Sequence, residues 1–145
     1  MDTRVITDSV ACLPATLTEE FGIHVIPVRL AAHGVVYRDL DNELPDTQIR
    51  RLQEVDAIDT TPWSPEHYCQ EYLGAATDVD SLVHVVAFSS FTSTMSLARA
   101  GAAMAQERVP CLRIEVVDSG STLMGQGFVA LAAARAAASG MALED

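Results

Sequence analysis

Short apolar runs of strand length alternate with longer, alanine-rich stretches along this chain. Val5-Ile6 is a β-type run that ends in Thr7-Asp8-Ser9, and Pro14 predicts a helix start, because proline suits a first helical turn. Residues 23–30 are apolar and β-branched, and Pro27 among them predicts an irregular or edge strand. Residues 35–37, after the Gly34 turn, predict another short strand, so this region reads as a small antiparallel flank. Residues 45–55 predict a helix with Ile49 and Leu52 on one face and arginines on another. The prolines of Asp59-Thr60-Thr61-Pro62-Trp63-Ser64-Pro65 then impose a fixed loop before a helix over 66–76. Residues 82–88 form an apolar run; Ser89-Ser90-Phe91-Thr92-Ser93-Thr94 leads from it into a helix reaching about 107. Residues 112–117 repeat the scheme, with Asp118-Ser119 after them and a helix over 125–139. This alternation predicts an α/β domain of three layers, a mostly parallel sheet flanked by helices.

A length of 145 residues fits one domain, and a 49% hydrophobic content is enough for a sizeable core. The longest apolar stretch, near 127–138, is alanine-dominated and carries Arg135, short of the roughly 20 strongly apolar residues of a membrane span. The start, Met1-Asp2-Thr3-Arg4-Val5, lacks the basic-then-apolar order of a signal peptide, so a cytoplasmic location is expected. Cys12, Cys69 and Cys111 have no C-x-x-C spacing and read as reduced, structural thiols. A net charge of −11 argues against nucleic acid as a partner and against stable insertion in a membrane or binding to its anionic surface.

Parallel sheets place ligand sites beyond the carboxyl ends of their strands. Here those ends carry Thr7-Asp8-Ser9, Ser89-Ser90-Phe91-Thr92-Ser93-Thr94 and Asp118-Ser119-Gly120-Ser121-Thr122, all rich in hydroxyls. Each residue of this type is a preferred helix cap. The alternative is an anion site, in which neutral hydroxyl donors and helix amino-terminal amides receive a carboxylate. The loop at 89–94 has five hydroxyls, more than one cap uses, and both readings stay open for it.

Other signals carry less. Gly125-Gln126-Gly127-Phe128-Val129-Ala130 matches G-x-G-x-x-A, but a seven-residue gap separates it from the preceding strand and no ribose-binding acid follows. Asp39-Leu40-Asp41-Asn42-Glu43 lacks the glycine and the final glutamate of a calcium loop and reads as a solvated acidic turn. His24, His33, His67 and His84 share no metal-ligand spacing and are expected at the surface or boundary. Asp8 and Asp118 are expected to orient loop groups and not to act as an acid and base pair. No catalytic residue, metal site or cofactor is assigned.

Five segments, in order, resemble the DegV-like proteins. The opening ITDSVACLP is similar to their ITDSTADLP, and IHVIPVRL with VVYRD to their strand pair IxVVPLxI and xxYxD. TTPWSP resembles TSQPSP, FSSFTSTMSLA resembles SSxLSGTYQSA, and VVDSGSTLMGQG resembles VIDSxxxSMGLG. The likeness covers nearly the whole chain.

The resemblance implies the amino-terminal domain of a two-domain carrier that binds a long-chain fatty acid and, in some members, presents it to a fatty acid kinase that makes an acyl-phosphate. It places the second domain of the family beyond Asp145. Carried over by position, the family's carboxylate-binding threonine falls on Thr60, with Thr61 beside it, and its carboxylate-binding serine falls on Thr92, or on Ser93 if the loop is aligned with a deletion. Asp8, Ser9, Ser89, Asp118, Ser119 and Gly125 would support the loops near the head group. Trp63 replaces a family proline and would narrow the pocket; Ile26, Val28, Phe88, Phe91, Met95, Leu123 and Met124 are wall candidates or plain core. Two other functions stay open: a phosphoryl or other small-molecule transferase that cradles phosphate with the same loops, and an interaction module whose alanine-rich helix over 128–138 packs on another domain.

Overall fold

The computed structural model describes residues 2–39, 50, 53–54 and 57–141. Strand β1 (Thr3–Asp8) runs into a 3-10 turn, Ser9–Ala11, and then helix α1 (Ala15–Glu20), with Pro14 just ahead of its first turn. Strands β2 (His24–Ile26), β3 (Arg29–Ala32) and β4 (Val35–Arg38) follow. Helix α2 (Pro65–Ala75), β5 (Ser81–Val86), α3 (Thr94–Arg108), β6 (Arg113–Asp118) and α4 (Met124–Ala138) complete the described order. Most of the helix expected over 45–55 lies outside the described residues.

The main sheet has the order β2-β1-β5-β6, and every neighbouring pair is parallel. Side chains alternate across a strand. Ile6, Leu82, Val86, Ile114 and Val116 therefore pack with Tyr68, Tyr72, Ala98 and Ala102 of α2 and α3. Val5 and Val85 turn to the other face, where Ala130, Leu131 and Ala134 of α4 cover them, with Leu17 and Phe21 at the margin. The three layers expected from the alternation of strands and helices are present.

Two glycines allow this close stacking. A Cβ at Gly101 would lie 2.6 Å from Tyr68 Cβ and 2.7 Å from Pro65 O, so α3 can meet α2 only without a side chain there. At Gly127 the obstacle is Ala11 O, 2.6 Å away, where α4 crosses the turn after β1.

Two expectations need correction. The apolar run at 23–30 is two strands, not one: β2 joins the main sheet beside β1, while β3 leaves it to pair antiparallel with β4. The cause is Pro27, which has no N–H to continue a ladder. Its carbonyl instead accepts from Trp63 Nε1 at 2.7 Å, and Val28 N donates to Ser9 Oγ at 3.0 Å. His84 is fully buried and not at a boundary, because it shares the inward face of β5 with Leu82 and Val86. Its Nδ1 lies 2.7 Å from Tyr72 Oη, and burial pushes its pKa down to about 3, so the ring is neutral.

Chain direction reverses at the centre of the sheet. From β1 the chain goes outward through α1 to β2, and it later returns to β5 on the opposite side of β1. The loops that leave β1 and β5 therefore part, and a crevice opens at their carboxyl ends.

Candidate functional site

A cleft of about 380 Å³ lies at that crevice. Its lining includes Asp8 and Val10 after β1, Ala87 after β5, and Phe91, Thr92 and Thr94 of the loop into α3. Opposite stand Ile26, Pro27, Val28 and Leu30, with Thr60, Pro62 and Trp63 from the loop before α2, and Tyr68 from α2 itself. Much of the lining is apolar; its polar residues include Asp8, Thr92 and Thr94 at the strand ends and Arg29, Asp39 and Thr60 on the opposite wall. The volume falls within the range of about 300–1,000 Å³ usual for ligand pockets.

Local geometry explains which threonine faces the cleft. Asp59 pairs with Ala31 as an antiparallel bridge, with N–H···O contacts of 2.8 and 2.9 Å. Alternation then puts Asp59 on the side of Arg29, and Thr60 on the side of Leu30, toward the cleft. Thr60 is exposed and makes no side-chain hydrogen bond among the described residues. Thr61 turns away: its N–H and its hydroxyl both donate to Asp59 Oδ1, at 2.8 and 2.5 Å. Arg29 Nη1 donates to Asp59 Oδ2 at 3.1 Å. The Thr61 hydroxyl above all, then its amide and Arg29, hold the Asp59 carboxyl down at about 2.

Thr92 combines the two roles considered for its loop. Its Oγ1 accepts from Thr94 N at 3.2 Å and lies 2.8 Å from Thr94 Oγ1, as a cap would, and the residue also lines the cleft. Ser93 is exposed and does not line it; its carbonyl accepts from Leu97 N and Ser96 Oγ, which fixes the start of α3. The first-turn amides of Met95 and Ser96 have no intrahelical carbonyl to bond, and the positive end of the α3 dipole lies there.

The remaining loop residues hold this frame. Ser9 Oγ ties Val28 to the end of β1. Asp118 accepts from Ser89 N at 3.2 Å and Gly120 N at 2.9 Å, and the Ser89 hydroxyl first among its partners holds its carboxyl below the usual range. Ser119 Oγ donates to Ser121 O at 3.0 Å, and Ser121 O accepts from Phe88 N, joining the loops after β5 and β6. Gly125 leaves room for Ser121, whose Oγ would lie 2.0 Å from a Cβ there. Of these residues Asp8 lines the cleft, whereas Ser9, Ser89, Asp118, Ser119 and Gly125 do not. Among the wall candidates, Ile26, Val28 and Phe91 line it, whereas Phe88, Met95, Leu123 and Met124 do not.

Asp8 is the buried acid of the site. Its Oδ1 accepts from Val10 N at 3.0 Å and from Gln126 Nε2 at 3.1 Å. Burial raises its pKa to about 6 in spite of these donors. Gln126 also donates to Thr7 Oγ1 and Val85 O, so one amide of α4 links the ends of β1 and β5. Tyr68 lines the cleft as a neutral phenol, pushed up to about 12 chiefly by burial.

Sequence reasoning missed Gln126 and Tyr68. Gln126 stood inside a rejected glycine motif, yet its spacing of four and eight from Ala130 and Ala134 puts a polar group on a buried helix face, which was the available signal. Tyr68 was indistinguishable from core, since it shares a helix face with Tyr72 and Ala75.

Comparison with known proteins agrees with this architecture. A DegV domain-containing protein of Mycobacterium bovis is 36% identical over 146 residues, 99% of this chain and 49% of that protein. One from Caldanaerobacter subterraneus subsp. tengcongensis is 28% identical over 97% of this chain and 49% of its own length. The chain thus spans about half the length of the curated relatives it matches. Among solved structures, a fatty-acid-binding DegV family protein from Thermus thermophilus superposes with a TM-score of 0.80 at 27% identity, over 99% of this chain and 50% of that one. DegV, a fatty acid binding protein from Bacillus subtilis, does so with a TM-score of 0.77 at 25% identity, over 100% of this chain and 51% of that one. The family model described as "Uncharacterised protein, DegV family" matches residues 2–145, and with the sheet order and the cleft at its switch point, this chain belongs to the DegV family.

Proposed function

We propose that the cleft holds a long-chain fatty acid, with its carboxylate at the hydroxyls of Thr60 and Thr92 and its acyl chain along Ile26, Val28, Leu30, Pro62 and Trp63. The observation that carries this reading is the meeting, in one cleft, of hydroxyl donors at the start of α3 with an apolar wall. Neutral donors orient the head group; burial of the chain, at about 0.8 kcal/mol per methylene, supplies most of the affinity. Thr61 and Ser93 contribute through the backbone and loop contacts that set Thr60 and α3. The fatty-acid binding of the similar proteins from T. thermophilus and B. subtilis supports the same ligand here.

In this reading the chain carries the acid and does no chemistry on it. It presents the carboxylate, in the cytoplasm, to a fatty acid kinase that forms the acyl-phosphate, and a second domain of the family type completes the head-group site. A phosphate cradle is the weaker reading, because the acids Asp8 and Asp39 line the cleft and Arg29, the one basic residue among the described residues of its lining, is paired with Asp59.

Thr60→Ala and Thr92→Ala should each weaken palmitate binding about 10- to 150-fold, the loss of one hydrogen bond to a charged group. Thr92→Ser, which keeps the hydroxyl, should retain most of the affinity. Wild-type affinity in both alanine variants, measured by displacement of a fluorescent fatty acid, would overturn the assignment.

A further inference from the structure

The cleft has an acid where an anion is to be received. Asp8 is 7% exposed and lines the cleft at the end of β1, with Oδ1 already accepting from Val10 N and Gln126 Nε2. Among the described residues, the charged and titratable groups around it supply no compensating cation. From α2 comes the phenol of Tyr68; from β5, neutral His84, held by Tyr72; from the segment after β4, another acid, Asp39. Arg29 of β3 is paired with Asp59 and His24 of β2 with Glu71, while Cys12 borders the neighbouring cleft on the far side of Asp8. Facing elements α3 and α4 contribute Thr94 and Gln126, which do not titrate.

We infer that a fatty acid enters this cleft together with one proton, which Asp8 and the ligand carboxylate share as an O–H···O⁻ hydrogen bond. Two carboxylates brought together in one cleft disfavour each other's ionised form, and a shared proton turns their repulsion into a short, charge-assisted bond. The proton comes from solvent and no covalent bond to carbon changes. Asp8 is already poised for this, because burial has raised its affinity for a proton before any ligand arrives. The inference rests on the fatty-acid reading and adds a regulation to it: binding tightens as pH falls toward the pKa of free Asp8, and the acid is released more readily in alkaline conditions.

The test is calorimetric titration of the protein with dodecanoate in buffers of different ionisation enthalpy, repeated with dodecanol and with Asp8→Asn. An asparagine keeps Oδ1 as acceptor for Val10 and Gln126 but has no carboxyl proton to share with the ligand. Wild-type protein should take up close to one proton with the acid and none with the alcohol, and its Kd for the acid should rise up to about tenfold per pH unit between about pH 6.5 and 8.5. In the Asp8→Asn variant both the uptake and the slope should vanish. Tight acid binding by wild type with no proton uptake, or uptake that persists in the variant, overturns the inference and leaves the carrier function standing. If wild type binds neither dodecanoate nor palmitate at any pH, the fatty-acid reading itself fails and the inference with it. Should the variant not fold, the wild-type proton count and pH slope decide alone.

Discussion

Asp8 and His84 act on stability in opposite senses as pH changes. Burial raises the folded pKa of Asp8 from 3.8 to about 6, so its contribution is complete below about pH 4 and is lost as pH rises through about 6. His84 is lowered from 6.5 to about 3; its contribution is complete above about 6.5 and is lost as pH falls toward 3. Removing the acid at neutral pH should therefore help: Asp8→Asn is expected to stabilise the protein by about 1–3 kcal/mol at pH 7. Urea unfolding at pH 7 and pH 4 checks this, since the gain should disappear at the lower pH. Asp8 was legible as a loop residue because it follows a strand end, and Thr60 because its loop has a family pattern. The depth of His84 was not, since a lone histidine in an apolar run looks the same at a boundary as in a core until strand alternation assigns its face.

At the scale of elements, helix contacts are set by where side chains are missing. Gly101→Ala should cost about 1–3 kcal/mol, because its methyl group would press on Tyr68 Cβ and the Pro65 carbonyl, both backbone-fixed. It should also weaken fatty acid binding, since α2 carries Tyr68 and is preceded by Trp63 and Pro62 on the cleft wall. Gly74→Ala is the contrast: nothing lies within 4 Å of a Cβ there, and the change should stabilise α2 by about 0.4–1 kcal/mol. Thermal unfolding of the two variants separates these outcomes. Helices α2, α3 and α4 were readable to within a residue or two, because prolines, hydroxyl loops and alanine runs bound them. The break at Pro27 was not, because the side-chain contacts that replace the ladder come from Ser9 and Trp63, 19 and 36 positions away from their backbone partners Val28 and Pro27.

Across the whole molecule, the β3–β4 hairpin is a separate two-stranded sheet fastened over one side of the cleft. Its ties among the described residues include Ser9 Oγ to Val28 N, Trp63 Nε1 to Pro27 O, the Ala31–Asp59 bridge, and the ion pairs Arg29–Asp59 and Arg38–Glu71. Trp63→Phe keeps an aromatic wall but removes the donor to Pro27. Hydrogen exchange in the hairpin should then quicken, and palmitate Kd should rise about 3- to 15-fold, the effect of one net hydrogen bond. No helix among the described residues is long and apolar enough to cross a membrane, and a net charge of −11 disfavours anionic lipid surfaces.

The most direct test of the carrier function is native mass spectrometry of the purified protein, before and after incubation with palmitate, with extraction and identification of any bound lipid. The expected result is one long-chain fatty acid per chain, present on purification or acquired on incubation, and absent from the Thr60→Ala, Thr92→Ala double variant. A protein that is empty as purified and still takes up no palmitate would contradict it.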